Sequence, residues 1–386
     1  HCCRAPRFGI VSSTLKPVAC VHSQSQRLFS AEDTFQAPPL LLFHQPIAEN
    51  LLRNRLHQLP TYEANAKAAG LEGMQIPVAV GGAGGYSCDA SLHHQEVHTA
   101  GDTALFVRQA WQATQNVSLL RELFPLLKAA CNFAVTRVNR TDAQGFFSIE
   151  TVIGADEENG VYDDDVFTNA GLVLACESAL EAAQLLHLPV DGRWREASER
   201  IKIPFFSPSP VNVSGKLHRE FAGYRSNRVG QSDTVLLGFP LQFNASHRVW
   251  AGNYSQTRLN DLQFYGPRID PQGSYMSAGH FVIAWLEREH RNLTEAAAWF
   301  ARGREKNLGP WRIWSEHDWN DGGAANFITA GGMFLQSLLF GYAGVRFTGS
   351  GLTHDAVLPP RVTAMKLRGL DGRGGEEFDV LVGAAT

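Results

Sequence analysis

Apolar residues recur at helical spacing through most of the chain, and this pattern predicts a series of helices. The predicted helices lie within residues 39–59, 101–138, 163–188, 273–290, 293–307 and 326–345. Pro46 interrupts the first of these stretches, and the second contains two helices that meet near Asn116. Strand patterns are sparse until "AVLPPRVTAMKLRGL" and "FDVLVGA" near the C-terminus.

The helices are separated by glycine-rich and polar loops rather than by strands, which argues against an α/β fold. No repeat signature of a helical solenoid is present. The pattern therefore predicts a large all-α domain, and a toroid of paired helices is the remaining architecture of that size. In such a toroid the loops at one rim build the functional site.

Composition narrows the classes of partner. The chain has 386 residues, 44% of them hydrophobic, and a net charge of −4. That length suits one large domain or two smaller ones. No basic block is present, so neither a nucleic acid nor a membrane surface is an expected partner. No stretch reaches the roughly 18 apolar residues that a membrane span needs.

Six Asn-x-Ser/Thr sequons bear on the compartment. They begin at Asn116, Asn139, Asn212, Asn244, Asn253 and Asn292. Chance predicts about two at ordinary Ser/Thr usage. The excess favours a secreted, endomembrane, lysosomal or vacuolar glycoprotein, with a cytoplasmic location as the alternative. The six cysteines have no zinc spacing and no assignable pairing. The chain begins without Met, and we expect it to be part of a longer protein.

The stretch "GADEENGVYDDDVFTN", residues 154–169, holds six carboxylates. An EF-hand loop with Gly160 at its sixth position would need Asp where Ala155 stands, so the calcium pattern fails. The three consecutive aspartates precede a predicted helix. Asp163 is the expected N-cap, and Asp164 and Asp165 favour the positive end of the helix dipole.

Glu157 follows the apolar run "FFSIETVI", and an apolar setting would raise its pKa as a general acid requires. A second stretch, residues 310–347, places Glu316 among Trp311, Trp314 and Trp319. Aromatic rings stack on sugars, and a carboxylate activates water. Two carboxylates on separate loops are the minimum for inverting glycoside hydrolysis. The alternative is a Trp-rich edge of the core with a surface glutamate.

These motifs resemble those of glycoside hydrolase family 65. "GADEE" is similar to the family's Gly-Pro-Asp-Glu-Tyr turn, and "YDDDVFTN" to its Val-Asp-Asn-Asn-Ala-Tyr-Thr-Asn element, at the same spacing. Four further segments match in order, over roughly residues 29–360: "PPLLLFHQPIAENLLRNRL", "HQEVHTAGDTALFVRQAWQATQNVSLLRE", "GQSDTVLLGFP" and "WSEHDWNDGGAANFITAGGMFLQSLLFGYAGVRF".

The resemblance implies an (α/α)6 toroid at residues 29–349. Residues 1–28 stay unassigned, residues 350–386 would begin a small C-terminal β domain, and the family's N-terminal β-sandwich is missing. Glu157 would be the general acid and Glu316 the general base, and a base of this kind favours hydrolysis over phosphorolysis. No metal or cofactor is implied. The implied substrate-binding residues are Asp33, Glu96, His98, Gln231, Trp314 and Asn326.

The implied substrate is an α-glucoside, either a small carbohydrate or a glycosylated hydroxylysine. The family's Trp-Asp pair reads Ser30 and Ala31 here, its Trp-Glu pair reads Val78 and Ala79, and the Lys before Gln-Ala-Asp reads Gly230. A site that loses partners for sugar hydroxyls loses discrimination. Trehalose hydrolysis and a diverged, weakly active or non-catalytic protein therefore remain alternatives.

Overall fold

The computed structural model describes residues 28–29, 32–80, 94–157, 160–207, 209–273, 276–305, 307–315, 327–372, 374 and 376–383. This part of the chain is mainly helical. The helices are α1 Ala37–Phe43, α2 Gln45–Ala68, α3 Thr99–Thr114, α4 Val117–Arg137, α5 Val166–Leu186, α6 Gly192–Arg200, α7 Tyr254–Tyr265, α8 Met276–Trp285, α9 Leu293–Arg302 and α10 Ile328–Gln336. A π-helical turn, Ser337–Tyr342, extends α10.

Helix ends follow local chemistry. Pro46 lies in the first turn of α2, so the chain breaks after α1 as predicted. Asn116 separates α3 from α4, and its side chain accepts hydrogen bonds from the backbone N–H groups of Ser118 and Leu119. The helices expected from apolar spacing are thus confirmed in type and order.

Two helices carry no apolar period that the sequence reveals. Helix α7 buries the polar side chains of Arg258, Asn260 and Asp261. Arg258 is fully buried and reaches Glu287, with Nε 3.1 Å from Oε2. Helix α6 is short and mostly polar, and it buries only Trp194, Ala197 and Ser198. In α7 buried polar residues are interspersed with the buried residues Leu262, Phe264 and Tyr265, which is why periodicity misses the helix.

The strands form five antiparallel pairs in the described residues. The short pairs are β1 Leu28–Phe29 with β2 Ala79–Val80, β3 Arg140–Thr141 with β4 Phe147–Ser148, β5 Asn307–Leu308 with β6 Ile313–Trp314, and β7 Arg346–Thr348 with β8 Gly351–Thr353. The longest pair is β9 Ala364–Asp371 with β10 Glu377–Gly383, which confirms β structure near the C-terminus. Residues 356–363, the first half of the predicted strand region, are not a strand.

The core is densest where α3, α4 and α5 meet. A Cβ built on Gly101 of α3 would lie 2.8 Å from the carbonyl carbon of Gly171 of α5, so the two helices need glycine at this close approach. A buried disulfide between Cys131 and Cys176 joins α4 to α5. Helix α5 is long and apolar enough to cross a membrane by length and composition, but 83% of its apolar window is buried. A central core helix has the same composition.

Candidate functional site

The turn that carries Glu157 is fastened to the next segment by one tyrosine. The backbone N–H of Gly154 donates to Tyr162 Oη at 3.0 Å, and Tyr162 Oη donates to the carbonyl of Asp156 at 3.4 Å. The Tyr162 ring stacks on Phe221 with centroids 3.7 Å apart. This clamp fixes the backbone on both sides of residue 155, so Glu157 projects from a held turn.

The apolar setting predicted for Glu157 is not found. Its side chain is exposed at the surface of the turn, and the neighbouring Asp156 is the buried one. The run of apolar residues before the turn packs into the core through Val152 and Ile153, so burial ends before Glu157. Any tuning of Glu157 must therefore come from nearby charges rather than from an apolar pocket.

Glu96 is the charged neighbour of Glu157. The Gln95 carbonyl accepts a hydrogen bond of 3.0 Å from the Ile153 N–H, which brings the two segments together. Glu96 is buried, and Oε2 has no hydrogen-bond partner within the described residues. Burial, followed by the charge of Glu157, raises the pKa of Glu96 to about 8. The interaction therefore favours one proton on the pair Glu96 and Glu157 over ionisation of both groups.

His98 interacts electrostatically with Glu96, and its ring is held by a carboxylate of α3. Its Nδ1 lies 2.7 Å from Asp102 Oδ2, one helical turn along α3. Burial disfavours the charged imidazole, but the carboxylate of Asp102 and its hydrogen bond dominate and raise the pKa of His98 to about 9. The His98 ring therefore carries a positive charge at neutral pH.

Asp33 is buried. Its carboxylate accepts a hydrogen bond from Thr103 Oγ1 at 2.6 Å, and its Oδ1 lies 3.1 Å from Arg55 Nη2. Glu32 beside it is buried as well, with one oxygen 4.0 Å from the same Arg55 nitrogen. The structure thus places Asp33 in an ion pair at the base of the site.

Behind the Glu157 turn lies a cluster of buried carboxyl groups, here called the carboxyl cluster: Asp156, Asp165, Glu220 and Asp233. Burial raises the pKa values of Asp165, Glu220 and Asp233. Neighbouring carboxylates raise the pKa values of Glu220 and Asp233 further, whereas the interaction with Asp233 lowers that of Asp165. Both oxygens of Asp233, and Asp165 Oδ2, are buried without a hydrogen-bond partner in the described residues, so the cluster favours keeping a proton over full ionisation. Gly154 fits against Asp165 and Asp233, since a Cβ there would lie 2.4 Å from Asp233 Oδ2.

The three consecutive aspartates, Asp163, Asp164 and Asp165, have different structural roles from those predicted. Asp165, not Asp163, is the N-cap of α5, and it accepts from the Thr168 N–H at 2.6 Å. Asp163 accepts from the Thr151 N–H at 2.9 Å. Asp164 accepts from Ser148 Oγ and the Ile149 N–H. The helix begins later than expected because the first two aspartates are used to tie down residues 148–151.

Of the remaining predicted site residues, some are half-buried and others lie outside the described residues. Gln231 is half-buried next to Gly230, whose N–H donates to Asp156 Oδ2 at 3.0 Å. Trp314 is half-buried against Phe334, and Trp311 is 83% exposed. The predicted base Glu316, the amide Asn326 and Trp319 lie outside the described residues.

Sequence reasoning missed Asp102, Arg55 and Glu220 as parts of this site. Only Asp102 left a local signal, since it stands four residues after His98, on the same face of α3. The others come from distant segments. Electrostatic interactions link Glu157 to Glu96 and Glu96 to His98. Asp102 interacts with both His98 and Asp33.

Comparison with known proteins gives a consistent result. Residues 28–212 match the family model for the glycosyl hydrolase family 65 central catalytic domain. The chain is 33% identical over 348 residues to protein-glucosylgalactosylhydroxylysine glucosidase of Danio rerio, covering 89% of this chain and 50% of the relative. It is 24% identical over 336 residues to periplasmic acid trehalase of Saccharomyces cerevisiae, covering 83% of this chain and 26% of the relative.

A putative kojibiose phosphorylase from the human microbiome has a similar fold. Its structure superposes with a TM-score of 0.75 at 14% identity, covering 93% of this chain and 55% of that one. The chain spans about half the length of the curated glucosidase relatives it matches.

Proposed function

We propose that the chain is an inverting α-glucoside hydrolase of glycoside hydrolase family 65, supported by the match of residues 28–212 to the family's central catalytic domain and by the similarity to family glucosidases. The observation that carries the proposal is the held Glu157 turn facing the buried pair Glu96 and His98. Glu157 donates its proton to the glycosidic oxygen as the bond from that oxygen to the anomeric carbon breaks. Glu316 takes a proton from water, whose oxygen attacks the opposite face of the sugar.

The surrounding charges support this division of roles. Glu96 and Glu157 interact, so ionisation of one favours the protonated form of the other, and the pair can keep a proton on Glu157 while Glu96 is ionised. Cationic His98 offers a hydrogen-bond donor to a sugar hydroxyl. Asp33 is instead held by Arg55 and Thr103. No step needs a metal or an organic cofactor.

We propose glucosylgalactosyl-hydroxylysine, or a similar glycosylated hydroxylysine, as the substrate. The support is that relatives at 28–33% identity over most of this chain carry that activity in their names. Trehalose is the second candidate, supported by more distant acid trehalases. Substrate contacts are assigned to Glu96, His98, Gln231, Trp314 and Asn326.

The architecture and location are proposed alongside. Residues 29–349 form the (α/α)6 toroid, supported by the fold similarity to a family phosphorylase, and residues 350–386 begin the C-terminal β domain. A secreted or endomembrane location is supported by acid trehalase relatives that are named periplasmic or secreted.

A substrate panel tests the proposal. The full chain is assayed for glucose release from glucosylgalactosyl-hydroxylysine, kojibiose and trehalose, each with and without phosphate. We expect the highest kcat/KM for glucosylgalactosyl-hydroxylysine and no effect of phosphate. A dependence on phosphate would identify a phosphorylase. No turnover of any glucoside by the folded chain would favour the non-catalytic alternative.

A further inference from the structure

All six sequon asparagines have exposed side chains in the structure. Three of them, Asn116, Asn253 and Asn292, are the N-caps of α4, α7 and α9. In each case the side-chain Oδ1 accepts from backbone N–H groups of the first turn, at 3.0–3.1 Å. Within the described residues, Nδ2 of these three makes no hydrogen bond. The acceptor atom serves the helix while the amide nitrogen faces solvent.

Each of the three capped helices has its C-terminal end towards predicted elements of the candidate site. Helix α4 starts at Asn116 and ends next to the Glu157 turn, where Arg137 donates to the carbonyls of Glu150 and Thr151. At about 1.5 Å per residue, the 21 residues of α4 place Asn116 about 30 Å from that turn.

Helices α7 and α9 repeat this direction. Shortly after α7, Ile269 bridges to Val229, the residue before Gly230, whose N–H contacts Asp156 of the carboxyl cluster. Just after α9, the carbonyl of Gly303 accepts from the indole of Trp314. Asn253 and Asn292 therefore lie at the helix ends that point away from these contacts.

We propose that Asn116, Asn253 and Asn292 are N-glycosylation sites that also cap helices, and that their glycans cover the face of the domain opposite the site. A polyprenyl-pyrophosphate-linked oligosaccharide would be the donor. Its anomeric carbon forms a bond to Nδ2, the bond to the pyrophosphate oxygen breaks, and one amide proton is lost. The glycosylated amide keeps Oδ1, so the cap survives the modification.

The buried disulfide is an independent observation that fits passage through an oxidising, glycosylating compartment. Cys131 and Cys176 join α4 to α5 in the core. Stable disulfides form in oxidising compartments such as the endoplasmic reticulum, where sequons are also glycosylated. The inference does not depend on the proposed glucosidase activity, because it rests on surface amides and a core disulfide that take no part in the proposed reaction.

The residues around Asn292 allow the cap and the glycan to be separated. Asn292→Asp keeps a side chain that caps as well as Asn but removes the acceptor nitrogen. Thr294→Ala leaves Asn292 in place and destroys the sequon. Thr294→Ser keeps both. Asn292→Ala removes cap and acceptor together.

The full chain and these four variants are directed into the endoplasmic reticulum of a eukaryotic host and analysed by glycopeptide mass mapping. We expect glycan on Asn116, Asn253 and Asn292 in the unaltered chain, and loss of the Asn292 glycan alone in Asn292→Asp and Thr294→Ala. Thr294→Ser should keep it. After enzymatic deglycosylation, only Asn292→Ala should melt lower, by on the order of 1–2 °C, since it alone lacks the cap.

Two results would overturn the proposal. One is unmodified Asn116, Asn253 and Asn292 in the secreted, folded chain. The other is glycan confined to the remaining sequons, which would separate glycosylation from the capped, site-remote face.

Discussion

Glu157→Gln is expected to lower kcat on glucosylgalactosyl-hydroxylysine by about 10²–10⁴-fold, the usual contribution of a general acid. The amide cannot protonate the glycosidic oxygen, so the poor leaving group stays attached. Since Glu157 is exposed on a turn held by backbone hydrogen bonds to Tyr162, the substitution should leave the melting temperature unchanged. The measurement is steady-state kinetics on both proteins.

The choice of leaving group separates the two glutamates. Fluoride leaves with little need for a proton, so α-glucosyl fluoride should be turned over by Glu157→Gln at nearly the unaltered rate. Glu316→Gln should lose turnover of both the natural glucoside and the fluoride, because water still needs its base. If Glu157→Gln lost the fluoride reaction as fully as the glucoside reaction, Glu157 would not be the acid.

The second large effect concerns stability against pH. The folded chain raises the pKa values of Asp165, Glu220 and Asp233 because burial penalises their charged forms and they face one another. In the unfolded chain these groups titrate near 4. Between that pH and the raised folded values, the folded state binds more protons than the unfolded state. The free energy of unfolding therefore falls as pH rises, by about 1.4 kcal/mol per pH unit for each proton retained.

Asp233→Asn tests this directly. The amide has the shape of the carboxyl group but cannot ionise, so the variant removes one buried titratable proton from the carboxyl cluster. We expect the variant to be less stable relative to the unaltered chain at pH 5 than at pH 7.5, with a slope against pH that is shallower by about 1.4 kcal/mol per unit. Denaturant unfolding across this range measures the slope.

The comparison needs a control because other groups titrate in the opposite direction. Buried His280 has a pKa lowered to about 3 by burial and the charge of Arg258, so it stabilises the fold increasingly as pH rises towards 6.5. Asp163→Asn neutralises a carboxylate in the same stretch while keeping an acceptor for the Thr151 N–H. This variant controls for the loss of a carboxylate outside the carboxyl cluster. An Asp233→Asn slope equal to that of Asp163→Asn would show that the carboxyl cluster holds no extra proton.

Much of the helical pattern was predictable, for a physical reason. Helices such as α4 and α5 bury an apolar face, and burial of that kind leaves a period in the sequence. Helix α7 is stabilised instead by buried polar contacts such as that of Arg258 with Glu287, and these leave no period. The N-cap of α5 was misassigned because Asp163 and Asp164 had long-range partners at residues 148–151 that the sequence does not display.

The site was predictable as far as motifs reach. Glu157 and the Glu96–His98 segment were found from their motifs. Their electrostatic relation was not, because it depends on the contact between Ile153 and Gln95 across the fold. The exposure of Glu157 also could not be foreseen, since the apolar run before it packs inward and the turn then leaves the core.

The stereochemistry of the first product tests the central claim most directly. Proton NMR can follow the anomeric signal of glucose released from an α-glucoside before mutarotation equilibrates it. An acid and a base on opposite faces of the sugar predict that β-glucose appears first. Initial release of α-glucose would require a covalent intermediate and would contradict the assignment of Glu157 as acid and Glu316 as base.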